Sequence, residues 1–282
     1  SKTYDSNYIP KLPNINNNIN LQANLYTNNL YNQNLQVQNN QQLNQILNQC
    51  RNNQSPMCKF EVVNDSSLGA ARKLVQTNHF HTCILNFTSP KSVDKGFFNG
   101  LESQENSILR QTALYSTIKN SKMYIENSKL NDNIFSDSMV YSSRVPVFRS
   151  SYLERFLSAH EVYEVSFVSA AAPILQNNMF QKQQNIYCCN NYNNNNPNYN
   201  ALINRIRKMV MLAIEHDNSA LVIGIYGNDL FDKNSCATLA NAFNQVLQND
   251  GLGKYFVKVV FAMITKTPQK SEMFQSFSTH FR

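Results

Sequence analysis

No run of lysine and arginine in this chain is dense enough to line a nucleic-acid groove, although 25 basic residues face 18 acidic ones for a formal charge of +7. A solvated basic surface or contact with an acidic protein or polymer accounts for that balance, and nucleic acid is a disfavoured partner. No apolar stretch approaches the roughly 20 residues that a helical membrane span needs, so no membrane partner is expected. The first residues have neither the hydrophobic run of a secretory signal nor the arginines of a transit peptide. None of the six cysteines forms a C-x-x-C pair, and the adjacent Cys188 and Cys189 cannot easily bridge each other. Reduced thiols and an intracellular, cytoplasmic location are therefore expected. No internal repeat is found.

What the chain does have is asparagine, roughly one residue in six across 282 positions, far above ordinary usage. The bias marks two segments. Residues 1–57 scatter Ile, Leu and Tyr among Asn and Gln and are expected to form an N-terminal extension that orders on a partner surface. Within it, Leu35 to Leu47 could form a helix with Leu43, Ile46 and Leu47 on one face. The second segment, near 177–200, contains "NIYCCNNYNNNNPNYN" and reads as a loop insertion in a domain spanning 58–282.

From Cys58 onward strands and helices alternate. "KFEVV" (Lys59–Val63) reads as a strand, and "SSLGAARKLVQTN" as a helix with Ser66 as N-cap. "HTCILNF" (His81–Phe87) reads as a buried strand, followed by a helix from about Ser103 to Thr117. "SMVYSS" and "VPVFR" are short extended pieces, and "YEVSFVSAAAP" (Tyr163–Pro173) is another strand. "ALINRIRKMVMLAIEHD" is amphipathic, with Leu202, Ile206, Met209 and Ala213 on one face. "ALVIGIY" (Ala220–Tyr226), the helix "CATLANAFNQVLQN" and "YFVKVVFAMI" (Tyr255–Ile264) complete the series. The alternation predicts an α/β three-layer sandwich around a mixed, largely parallel sheet. Ligands in such folds sit beyond the carboxyl ends of strands. The glycine-bearing loops after Phe87 and after Ile223 both fall there.

The order of "ILNFTSPKSVDKGFFNGLESQENSILRQTALY", "MVYSSRVPVFR", "SAAAP", "ALVIGIYGNDLF" and "VKVVFAM" resembles the microbial-type poly(ADP-ribose) glycohydrolases, a branch of the macrodomain fold, over about Phe60 to Ile264. The resemblance implies a Gly-Gly-Gly loop that lets backbone N–H groups approach a pyrophosphate. It also implies a Gln-Glu-Glu at the next helix, whose first glutamate holds ribose hydroxyls and whose second protonates the leaving oxygen as an oxocarbenium-like centre develops. This chain departs from both motifs. The triple glycine reads Asp94, Lys95, Gly96, and the Gln-Glu-Glu reads Gln104, Glu105, Asn106, with the spacing between them intact. An amide cannot serve as general acid, so no catalytic set is intact at Gln104, Glu105 and Asn106. The second loop reads Gly224, Ile225, Tyr226, Gly227, Asn228, Asp229, Leu230, Phe231, with Asp229 where the family usually has glycine. Asp94 and Asp229 would each repel a pyrophosphate by on the order of 1–4 kcal/mol at close range.

Three functions remain open on these residues. The first is an inactive, structural or interaction module of a protein assembly, whose basic balance suits an acidic polymer such as a cytoskeletal filament, in the cytoplasm or a cilium. The second is a non-catalytic ADP-ribose binder, and the third an active glycohydrolase. No cofactor and no metal are expected. His79 and His81 in "HFH" could share a metal with Cys83, but a surface turn before a strand explains them better. Cys83 reads as a small core residue rather than a nucleophile paired with His81. Tyr226 and Phe231 either stack on an adenine or ribose or wedge their loop against the core. Of Phe97 and Phe98, one is expected in the core and one at the cleft. "RIRK" (Arg205–Lys208) reads as the solvated face of its helix and as the candidate contact for an acidic partner.

Overall fold

The structure is a computed structural model. It describes residues 1–5, 8, 10, 58–101, 103–130, 135–150, 155–171, 197–225, 233–265 and 271–281. The helix expected over Leu35–Leu47, most of the Asn-rich insertion, and Tyr226, Gly227, Asp229 and Phe231 lie outside the described residues. In chain order the strands are β1 (Lys2–Tyr4), β2 (Lys59–Val63), β3 (Thr82–Thr88), β4 (Met139–Val147), β5 (Arg149–Ser150), β6 (Arg155–Phe156), β7 (Tyr163–Ala171), β8 (Ala220–Gly224) and β9 (Lys258–Ala262). The helices are α1 (Ser67–Asn78), α2 (Asp94–Phe98), α3 (Gln104–Gln111), α4 (Leu114–Ile118), α5 (Lys122–Ser128), α6 (Pro197–Glu215), α7 (Lys233–Asn244) and α8 (Glu272–His280). A π-helical turn, Gln245–Asn249, continues α7.

Seven strands form one sheet in the order β1-β4-β7-β3-β8-β9-β2, and β5 pairs with β6 in a separate ribbon. The pairs β7–β3, β3–β8, β8–β9 and β9–β2 are parallel, whereas β4 runs antiparallel to both β7 and β1. Alternation along each strand sends side chains to two cores. Cys83 and Leu85 of β3 face α6, α7 and α8, where Ile206, Met209, Phe243 and Phe277 are buried. Ile84 faces α1, α3 and α5, where Leu74, Leu109 and Met123 are buried. The three-layer α/β sandwich with a largely parallel sheet is thus present, and Cys83 is a fully buried core residue whose thiol pKa is pushed up by burial. The C-terminal helix α8, absent from the sequence reading, closes one layer. Its Phe277, with Phe281 just beyond it, packs on Phe261, and each buried ring stabilises the fold by about 1.5–3 kcal/mol.

Several boundaries differ from the sequence reading for local reasons. Ser66 caps α1 as expected, accepting from the Gly69 N–H at 2.9 Å. His79 ends that helix in a left-handed conformation, φ 55°, and is an exposed turn residue. The single helix expected over Ser103–Thr117 is two. Thr112 is extended (φ −135°, ψ 165°), bridges to Val147, and its hydroxyl donates to the Ile108 carbonyl and accepts from the Leu114 N–H. "SMVYSS" and "VPVFR" are largely one strand, β4, whose register slips between Ser142 and Val145, where Arg144 takes φ 50°. Helix α6 starts at Pro197, so the Asn-rich insertion ends before residue 200; proline suits a first helical turn because its missing N–H is not needed there. Residues 2–4, from the segment set apart by composition, form an edge strand of the domain's own sheet.

"RIRK" is not a free basic face. Arg205 is 1% exposed. It donates through Nε to Asp137 and through its terminal nitrogens to the carbonyls of Ala171 and Phe135. Arg207 donates to Asp250 at 2.7 Å and Lys208 to the Asp5 carbonyl at 3.0 Å. The amphipathic period placed Arg205 beside Ile206 but could not show that the end of β7 offers it a carbonyl. Arg205→Ala should lower the unfolding free energy by about 2–4 kcal/mol in urea denaturation, because charge-assisted bonds are lost and buried acceptors stranded.

Candidate functional site at the carboxyl ends of β3 and β8

The site is built where β3 hands over to α2 and α3. Ser103 caps α3: its hydroxyl accepts from the Asn106 N–H at 3.0 Å, which fixes where Gln104, Glu105 and Asn106 point. All three are buried, although they open a helix beside a polar loop. Gln104 donates to the Leu85 carbonyl at 3.3 Å and to the Ser67 hydroxyl at 3.2 Å, tying α3 to β3 and to the start of α1. Glu105 is 7% exposed and turns both oxygens toward the end of β3. One accepts from the Thr88 hydroxyl and the other from the Ser89 N–H at 2.9 Å. Thr88 also meets the Tyr124 hydroxyl of α5 at 2.9 Å. Burial raises the Glu105 pKa, and the bonds from Thr88 and Ser89 oppose that rise.

Asn106 is 6% exposed, and its amide lies against Gly96. A Cβ on Gly96 would come within 2.6 Å of Asn106 Nδ2. Gly96 lies inside α2, the short helix that takes the place of the expected loop, and its φ is not positive. Close approach, not backbone freedom, is what this glycine supplies. Gly224 at the end of β8 is similar: a Cβ there would meet the Ser67 hydroxyl at 1.9 Å and Gln104 Nε2 at 2.2 Å. A cavity of about 20 Å³ lies beside this contact, lined by Ser67, Gln104, Ser107, Ile225 and Ala262, enough for about one water.

The structure therefore brings together Gln104, Glu105, Asn106 and Gly96, and joins Gln104 to Gly224. Asp94 and Lys95 open α2, at the same end of the sheet. Phe97 packs into the core beside α3 and stacks on Tyr115 with centroids 4.8 Å apart, while Phe98 is 68% exposed. Sequence reasoning missed Thr88, Ser89, Tyr124 and Ser67. A buried glutamate needs donors, which could have pointed to Thr88 and Ser89 at the strand end, but no spacing signals Tyr124 or Ser67. Among the described residues no group of three His, Cys, Asp or Glu side chains is placed to hold a metal, and no helix is long and apolar enough to cross a membrane.

A mixed, largely parallel sheet between two helical layers, with the site at the ends of β3 and β8, defines a macrodomain-like α/β protein. The family model for the microbial-type PARG catalytic domain, PARG being poly(ADP-ribose) glycohydrolase, matches residues 11–150. Solved structures agree. The Thermomonospora curvata PARG is 27% identical, with a TM-score of 0.65 over 79% of this chain and 77% of that one. The Deinococcus radiodurans PARG in complex with ADP-ribose is 25% identical, with a TM-score of 0.64 over 82% and 86%. No curated protein sequence matches. Together the family model and these structures support a member of the microbial-type PARG family. The family match begins inside the Asn/Gln-rich segment, ahead of the resemblance seen from Phe60.

Two outcomes follow from this geometry. Gly224→Ala should cost about 1–3 kcal/mol in denaturant unfolding, with part of the loss recovered by adding Ser67→Ala, because overpacking against the Ser67 hydroxyl is the cause. The Glu105 carboxyl has a folded pKa above its usual value of 4.5, so the folded state binds its proton more tightly than the unfolded state does. Its contribution is complete below the unfolded pKa and is lost as pH rises through the folded one. Wild type should therefore lose stability relative to Glu105→Gln over that rise, read as unfolding free energies across a pH series.

Proposed function

We propose that this chain is a non-hydrolysing member of its family, whose fold serves as a structural or interaction component of a larger protein assembly. The observation that carries the reading is Asn106, buried against Gly96 at the position the family resemblance assigns to the acid. Cleaving a ribose–ribose bond needs a proton donor at the leaving oxygen, and a carboxamide cannot supply one. Glu105, the neighbouring carboxyl, has each oxygen engaged by the end of β3, and one residue along a helix turns it by about 100° from the Asn106 direction. In sequence, Asp94 and Asp229 put a carboxylate into each of the two loops that the family resemblance assigns to a pyrophosphate. The net charge of +7 supports an acidic partner surface, such as a cytoskeletal filament, in the cytoplasm or a cilium.

A second reading, ADP-ribose binding without cleavage, draws support from the Deinococcus radiodurans relative, which is in complex with ADP-ribose. Against it, Gly96 and Gly224, the glycines retained at the ends of β3 and β8, are accounted for by contacts to this chain's own Asn106, Ser67 and Gln104. The test is incubation with labelled poly(ADP-ribose), alongside calorimetry with ADP-ribose. No released ADP-ribose and no binding heat are expected. Micromolar binding without release would favour the second reading, and release abolished by Glu105→Gln would overturn both.

A further inference from the structure

Asn99–Gly100 is the single Asn-Gly pair in the chain, although asparagine fills roughly one position in six and there are seven glycines. The fold itself calls for this glycine. Asn99 ends α2 at φ −87° and ψ 6°, and Gly100 follows at φ 72°, a conformation that residues other than glycine rarely adopt. The Leu101 N–H then closes back on the Gly96 carbonyl at 3.1 Å, the bond with which a glycine-terminated helix satisfies one of its last carbonyls. Arg110 holds the far side of the turn by donating to the Leu101 carbonyl at 2.8 Å.

Asn99 and Gly100 are both exposed, and a Cβ on Gly100 would meet nothing within 4 Å. No side chain at residue 100 screens the backbone nitrogen that follows the Asn99 carboxamide. Other asparagines of similar sequence are protected. Asn106, Asn127 and Asn218, each followed by serine, are 6%, 0% and 3% exposed. Asn218 donates to the Ala213 carbonyl at 2.9 Å, and Asn127 accepts from the Ser136 N–H at 2.8 Å. Asn120, also before a serine, is exposed, but the Ser121 nitrogen is committed to the Ile118 carbonyl at 2.9 Å.

We propose that Asn99–Gly100 is a self-modification site, where the turn ahead of α3 converts its own asparagine to aspartate and isoaspartate and thereby unfastens α2. The Gly100 nitrogen attacks Asn99 Cγ and gives up its proton to solvent. As that C–N bond forms, the Cγ–Nδ2 bond breaks and the amide nitrogen leaves as ammonia, so the product is a cyclic imide. Water then opens the imide. Addition at Cγ breaks the new bond and yields aspartate. Addition at the Asn99 main-chain carbonyl carbon yields isoaspartate, with the chain running through the former side chain. Water is the only co-reactant, and nothing is oxidised or reduced.

Either product lowers the formal charge of +7 by one, on the segment that already carries Asp94. Isoaspartate also lengthens the main chain by a methylene between Asn99 and Gly100, inside the segment that the Leu101–Gly96 bond closes. Leu101 is then displaced from Gly96, and α2 loses its C-terminal closure. Gly96 is also the residue packed against Asn106, so the state of Asn99 is coupled to the packing of the α3 start. The proposal stands on this turn and holds whether or not the site at β3 hydrolyses anything.

The experiment ages the full-length chain at neutral and at mildly alkaline pH and follows it by peptide mapping. Conversion at Asn99 is read as a gain of about 1 Da, with isoaspartate assigned by electron-transfer fragmentation. It is expected to outpace conversion at Asn120 and to quicken as pH rises. Hydrogen exchange at the Leu101 amide should speed up in the converted chains, whereas Asn99→Gln, aged in parallel, should show neither change. An Asn99 that stays intact, or converts no faster than Asn120, would overturn the site. Unchanged Leu101 exchange in chains converted to isoaspartate would overturn the unfastening of α2.

Discussion

The end of β3 is fastened to α3 by one buried carboxyl group. Glu105 receives the Thr88 hydroxyl and the Ser89 N–H, and Thr88 passes the contact on to Tyr124, so a strand, the loop after it and two helices meet at one side chain. A carboxyl this far from water is tolerated only because its oxygens are bonded. Removing those partners would strand it, and removing it would release the loop. The position of α2, and with it Gly96, depends on that anchor.

Around this anchor the helix start has been turned inward. Gln104 reaches under the sheet end to Ser67 and Leu85, and Asn106 fills the space that a glycine Cβ would have used. Gln104 bonds to Ser67 and Leu85 and Glu105 to Thr88 and Ser89, so the helix start ties α1, β3 and α3 together.

The sheet and its order were legible because buried strands such as Thr82–Thr88 and Ala220–Gly224 are short apolar runs, and because Ser66 before α1 carries a strong capping signature. The break at Thr112 was not legible, since nothing local distinguishes a threonine in a helix from one that pairs with Val147 across the fold. The burial of Arg205 was equally hidden: a cation on an apolar helix reads as solvated until a carbonyl from a distant strand end is found beside it. At the site, the identities of Gln104, Glu105 and Asn106, and of Asp94 and Lys95 ahead of Gly96, could be read directly. Their inward orientation could not, because it depends on Ser67, Thr88 and Tyr124, which no spacing connects to them.

The two edges of the sheet also set an order of events. Both β1 and β2 belong to the first sixty-three residues, but among the described strands β2 pairs only with β9, in the register Lys59 to Lys258, about 200 residues later. A chain emerging from a ribosome therefore makes both outer strands first and must hold β2 without its partner until the last strand arrives. The sheet cannot close progressively from one side. In this order the sheet is incomplete until β9 takes its place between β8 and β2, so a chain interrupted before residue 258 would lack the strand that pairs with β8 on that side.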